Sequence, residues 1–320
     1  MTTPVLYDPA WLPHALEPAG VRLVRSSPER LRAASFLDGR EPFGEEKTSV
    51  SFAAFAEAAA AWPVKRVPSV LHVSFCGSTL LSRLLDVPGR TIVYREPAIH
   101  IALADRVSAG FPLPDVLRQT SAAFARRVGE ARPIVKPTSW ANALIPSWVA
   151  ARAIDPVFVT MAARDFLRAV FRGGHDRIGF TMRLASHLRS LVTRAPAWLE
   201  AATGERGEPL DVAARVTLVA LGAQTALMRD ARATLHLSSE RVIDASGIFS
   251  DPHAAGEQVA SIFGLDRIDG EAAGRHAKAP GALFSRNHEQ ATNQAMEAHH
   301  AARFDAALRW AERTGLRFDA

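Results

Sequence analysis

Apolar residues follow two rhythms along this chain, and the two alternate. Short apolar runs bounded by proline, glycine and serine have the length of buried strands. Between them, apolar positions recur every three or four residues, as on one face of a helix. The alternation starts at 70–73 (VLHV), a strand, followed by Leu80, Leu81, Leu84 and Leu85 in a helix over 78–85. A strand at 91–94 (TIVY), a helix at 116–128, a strand at 133–135 and a helix at 140–151 come next, then the strand 156–161 (PVFVTM). Arg164 opens a further helix. Long helices over 181–201 and 211–231, a strand at 234–237, a helix over 252–263 stopped by Gly264 and a closing helix over 289–313 complete the series. Short apolar strands alternating with helices predict an α/β fold of three layers, a central parallel sheet with helices on both faces. Ligands of such sheets sit at the carboxyl ends of the strands.

Residues 1–65 break this rhythm. A strand at 21–24 and helices at 28–36 and 52–62 predict a small α/β extension, with Pro63 and Pro68 marking the passage into a main domain over 66–320. Composition adds little: 320 residues, 48% hydrophobic and 22% charged, are ordinary globular values. Residues 1–11 lack the pattern of a secretory signal, and the longest apolar runs, near 216–228, read as too broken to span a bilayer. The single cysteine, Cys76, rules out an internal disulfide and fits a reducing cytoplasm.

Charge placement changes the picture. Seven arginines against two aspartates in 164–194 give that window an excess of five, equal to the +5 of the whole chain. A solvated basic helix and a site for a polyanionic small molecule both fit the run. No interleaving of basic and aromatic residues marks a nucleic-acid surface. Arg164, Arg168 and Arg172 fall on one helical face, and guanidinium forks suit phosphate oxygens.

The chemistry starts at 74–79 (SFCGST), where the first strand turns into its helix. A glycine at such a bend lets backbone N–H groups converge on an anion, so Cys76, Gly77, Ser78 and Thr79 form a candidate phosphate cradle. A turn into a helix capped by its hydroxyls, holding no ligand, has the same spacing. The Walker pattern GxxxxGK[ST] is absent and the loop carries no lysine, which argues against an ordinary ATP or GTP hydrolase. Two later strand ends carry candidate catalytic groups. Glu96 is placed either to accept a proton, with the adjacent Arg95 holding it ionised, or to form a structural pair with Arg95, and Lys136 points to the same sheet edge or is a surface lysine. Trp140 and Asn142 lie just beyond, where an acceptor pocket would form. Cys76 sits where helix N–H groups lower a thiol pKa, but with no histidine nearby it reads as a small loop residue. His299 and His300 lack metal-ligand spacing, and no GxSxG elbow occurs.

The run SFCGSTLLSRLLD at 74–86, followed by YREP, resembles the sulfotransferases that use 3′-phosphoadenosine 5′-phosphosulfate (PAPS). The strand PVFVTM followed by AARD, and the late segment 242–265 with its DP turn and FGL ending, resemble further parts of that family in the same order, over about residues 69–310. The resemblance implies a P-loop fold and transfer of a sulfuryl group from PAPS to a hydroxyl or amine of a small molecule, without a metal. It implies that 76–79 hold the 5′ end and Arg164 the 3′-phosphate, with Arg172 standing where the family usually has serine. Lys278, Ser285 and Arg286 would fall in a loop closing over that phosphate. Glu96 would be the base, Lys136 would contact the sulfate, and Thr138 stands near the family's usual histidine base. Phe75 departs from the pattern, because the family has lysine or arginine there; Lys136, Arg95 or Arg83 would have to replace that cation. A P-loop kinase-like phosphotransferase using ATP and magnesium, and a non-catalytic nucleotide-binding module, remain open beside this reading.

Overall fold

The strands fall into two sheets. The computed structural model describes residues 4–40, 42–62, 66–111, 114–271 and 286–320, without the side chains of Pro114 and 286–293. The first sheet is antiparallel, in the order of its strands β1 (Trp11–Glu17), β2 (Gly20–Arg25) and β3 (Glu46–Ser51). Only β2 contains the run expected to be a strand. β1 is irregular between Pro13 and Ala15, and β3 (EKTSVS) buries only Val50, so neither shows a clean apolar alternation. Ser27 and Ser51 cap the helices Pro28–Ala33 and Phe52–Ala61, accepting from the N–H groups of Arg30 and Ala54.

The second sheet is wholly parallel. Its strands are β4 (Val67–His72), β5 (Thr91–Arg95), β6 (Arg132–Lys136), β7 (Ile154–Thr160) and β8 (Val242–Asp244), in the order β5-β6-β4-β7-β8. Every residue of β4 and β5 is buried, as strands covered on both faces by helices require. The chain leaves β4 toward β5 on one side and leaves β6 toward β7 on the other. The loops after β4 and β6 therefore diverge, and a crevice opens at the carboxyl edge between these two neighbours.

Several helices differ from expectation. Residues 98–108 form a helix, Ala98–Ser108, that the apolar pattern does not announce. The helix expected over 140–151 is a 3-10 turn, Ser139–Leu144, followed by Ile145–Ala150. The helix expected over 181–201 is two, Gly174–Leu188 and Ala195–Gly204, with Pro196 at the start of the second. The strand expected at 234–237 is absent: Thr234 ends the helix Pro209–Thr234 and His236 turns with a φ of 54°. That helix is longer than its broken apolar run suggests. By length and hydropathy it matches a bilayer span, but 83% of its apolar window is buried. It is the core helix, packed against Gly174–Leu188, Ala195–Gly204 and the last helix, Arg286–Arg313.

Candidate active site

A cavity of about 750 Å³ opens at the carboxyl ends of β4, β5 and β6. Its floor is the 74–80 turn with His72, Glu96, Lys136, Thr138 and Ser139. One wall is a face of the helix Gly174–Leu188, where Asp176, Arg177, Phe180 and Arg183 follow Arg172. Phe36, Asp38 and Arg40 reach in from the N-terminal segment. Hydrogen bonds tie the floor together. The Ser74 and Ser139 hydroxyls meet at 2.8 Å, and His72 Nε2 lies 2.9 Å from the Pro137 carbonyl. Asn142 does not line the cavity; its amide donates to the His72 carbonyl and to Gln224 Oε1, bracing β4 from behind. Trp140 does line it, stacked on His187 and donating to Asp105.

The turn after β4 enters the helix Ser78–Leu84 through Gly77, which has a φ of 81° and gives no side-chain cap. The N–H groups of Leu80 and Leu81 donate to the Gly77 carbonyl. Those of Ser78 and Thr79 stand ahead of the first intrahelical bond, where helix donors need outside partners. Glycine is required at 77 by the left-handed backbone and by space, since a Cβ there would sit 2.9 Å from Phe249 Cζ. Phe75 also has a positive φ, 62°, and its ring packs on Phe166 and Phe180. Cys76 is buried, and burial pushes its thiol up to about 11 against smaller opposing hydrogen bonds from Ser78. The expected lowering by helix N–H groups is overridden, and the thiol stays protonated at neutral pH.

Glu96 and Lys136 meet. Lys136 Nζ donates to Glu96 Oε1 at 2.5 Å, and the Glu96 N–H donates to the Lys136 carbonyl at 2.7 Å. Glu96 turns with a φ of 54°, a conformation that costs a non-glycine about 1–2 kcal/mol. Among the described residues, four non-glycines have a positive φ; Phe75 and Glu96 line the cavity, while Arg152 and His236 sit in turns. Strain placed at a cleft is a pointer to function. Arg95 does not partner Glu96. It points away to Asp86 and to the carbonyls of Leu31, Arg32 and Ala34. Arg83 donates to the Arg32 and Ala34 carbonyls, also outside the cavity lining.

The basic run divides. Arg164 donates to Glu297 and, at 2.6 Å, to Asp305; Arg168 bonds Asp165 and Glu297. Both face the helix Arg286–Arg313 and neither lines the cavity, whereas Arg172 does. Arg286 begins that last helix, with its side chain outside the described residues, as Lys278 and Ser285 are altogether. Arg177 and Arg183 lie outside the 164–172 face, but 176, 177, 180 and 183 trace one helical face of their own, and that spacing is the signal of a wall. His72 also lines the cavity, at the end of a strand whose apolar pattern gives a histidine no role. Burial, and then Lys136, push its pKa down to about 4, so it is neutral at pH 7. Among the described residues no group of three or more His, Cys, Asp or Glu is arranged to hold a metal.

The arrangement offers backbone donors and cations to an anion, with a carboxylate beside them. No protein-family model matches the chain, and no curated protein matches it. A solved structure, that of a sulfotransferase from Alicyclobacillus acidocaldarius, is 14% identical with a TM-score of 0.36, over 77% of this chain and 97% of that one. Likeness at that level assigns this chain no activity.

Proposed function

We propose that the protein is a sulfuryl-transfer enzyme that uses PAPS and a small-molecule hydroxyl or amine. One observation carries the reading: the 74–79 turn and the Lys136–Glu96 pair, distant in sequence, share one cavity at the carboxyl edge of a parallel sheet. The sequence resemblance of 74–86 and the segments after it points the same way.

The cavity suits such a group. Its volume is within the range of about 300–1,000 Å³ common to ligand sites. The turn would receive the 5′ phosphosulfate on the N–H groups of 76–79. Arg172 is the arginine of the 164–172 face that lines the cavity, so it is the candidate for the 3′-phosphate; Arg164 is committed to Glu297 and Asp305. Bound there, PAPS supplies the sulfuryl group: the acceptor oxygen or nitrogen bonds to sulfur, the sulfur–oxygen bond to the phosphate breaks with its electrons staying on the phosphate, and the acceptor loses a proton. Glu96 takes that proton, and Lys136, 1% exposed, holds the carboxylate in place and offers positive charge to the departing phosphate oxygen. Trp140 and Phe180 form an aromatic side of the cavity against which an acceptor ring or chain would pack.

The test is transfer of label from PAPS carrying radioactive sulfur to a panel of alcohols, phenols and amines, with thermal shifts against adenosine 3′,5′-bisphosphate and ATP–magnesium. A ligand at a hundred times its Kd stabilises by about 2.7 kcal/mol. Transfer together with a bisphosphate shift supports the reading. A shift with ATP–magnesium alone would favour a kinase-like enzyme, and a bisphosphate shift without transfer to any acceptor a non-catalytic module.

A further inference from the structure

The 74–79 turn carries no cation of its own, and its second residue is Phe75. We propose that Arg177, laid across the Phe75 ring from the neighbouring helix, is the cation of this turn and contacts the phosphate or sulfate oxyanion held there. The inference rests on the reading of the cavity as an oxyanion site.

Contacts from three separate places fix the guanidinium. Its Cζ lies 4.8 Å from the centroid of the Phe75 ring, within reach of a cation–π contact. Its Nη1 donates to the Ala169 carbonyl at 2.6 Å, one helix back in the chain. Its stem passes over Gly173, where a Cβ would come within 2.0 Å of Arg177 Cδ. Any other residue at 173 would displace the side chain. The platform is fixed as well. Phe75 is turned by its positive φ and packed edge-on against Phe180 at 5.9 Å, with Phe166 on a further side at 6.5 Å. A guanidinium held from several sides loses little freedom when it binds, and its planar fork matches tetrahedral oxyanions. Arg177 lines the same cavity as the turn. On this account Phe75 is not a lost charge but the surface on which a borrowed one is mounted.

The experiment compares wild type, Arg177→Met and the double variant Phe75→Lys/Arg177→Met, by bisphosphate affinity and by PAPS turnover. Arg177→Met keeps the apolar stem over Gly173, and its melting curve shows whether the fold is retained; Arg177→Gln, which keeps a donor but no charge, serves if it is not. Loss of one preorganised donor should lower turnover by about 10²–10³-fold with a smaller loss of affinity. Phe75→Lys should restore at least about tenfold of that by returning a cation to the turn. A folded Arg177→Met within about twofold of wild type in both readouts would overturn the inference. So would a double variant no better than Arg177→Met. If wild type itself binds no bisphosphate, the oxyanion reading fails first and the inference falls with it.

Discussion

Arg95 and Glu96 are neighbours in sequence and belong to two ion pairs of opposite character. Arg95 is fully buried; it bonds Asp86 at 2.7 Å and three backbone carbonyls from 31–34. Asp86 takes a second arginine, Arg32, on its other oxygen. Arg95 and Asp86 are enclosed by protein, and the set clasps the N-terminal segment to β5 and to the end of the helix Ser78–Leu84. Lys136 is as deeply buried, but its partner Glu96 is 16% exposed by side chain and faces the cavity on a left-handed backbone. A buried pair enclosed by backbone carbonyls holds structure, whereas one that opens onto a cleft at a strand end has the placement that chemistry needs. The arginine run divides by place: Arg164 and Arg168 bond Glu297 on the last helix and stay outside the cavity, whereas Arg172, Arg177 and Arg183 line it.

Substitutions can break the contrast. The largest effect belongs to the closed pair. Asp86→Ala leaves Arg95 uncompensated inside the protein and should cost about 3–5 kcal/mol of stability, read by urea unfolding. Glu96→Gln, at the open pair, keeps an oxygen that accepts from Lys136, so it should cost less stability than Asp86→Ala and leave bisphosphate affinity close to wild type while lowering transfer by about a hundredfold or more. A variant that unfolds in place of losing transfer would put Glu96 in the structural class.

Acid gives an intermediate effect. Burial pushes His100 down to about 3 and His72 to about 4, from an ordinary 6.5. Both are neutral in the folded chain. Below pH 6.5 the unfolded chain takes up protons that these folded sites refuse, so stability falls from pH 6.5 toward 4, with no contribution from either group above that range. His100→Phe should flatten this slope in a series of urea titrations; an unchanged slope would remove His100 from the account. The smallest effect is on the surface. Arg164→Ala should cost about 1 kcal/mol or less, with bisphosphate affinity unchanged. A marked loss of affinity would return Arg164 to the ligand.

The strand–helix rhythm from 70 to 161 was legible because buried parallel strands need unbroken apolar runs, and a parallel sheet sends every strand end to one edge. That put Cys76–Thr79, Glu96 and Lys136 on the same side before any contact was known. β1 and β3 were not legible because their stability comes from pairing with β2, not from an apolar pattern of their own. The last strand was misplaced because 234–237 is apolar enough, yet the core helix runs on to Thr234 and β8 forms only where 242–244 reaches β7. The arginines could not be sorted by spacing alone. What distinguishes Arg164 is Glu297, 133 residues away on another helix. What places Arg177 is Gly173 and the ring of Phe75.

The central claim is that the crevice between β4 and β6 is an oxyanion site for a PAPS-type nucleotide. Titration calorimetry of the wild-type chain with adenosine 3′,5′-bisphosphate tests it most directly. The account predicts saturable binding at one site per chain, weakened in Lys136→Met. No binding at millimolar bisphosphate, or equal binding by wild type and Lys136→Met, would contradict it.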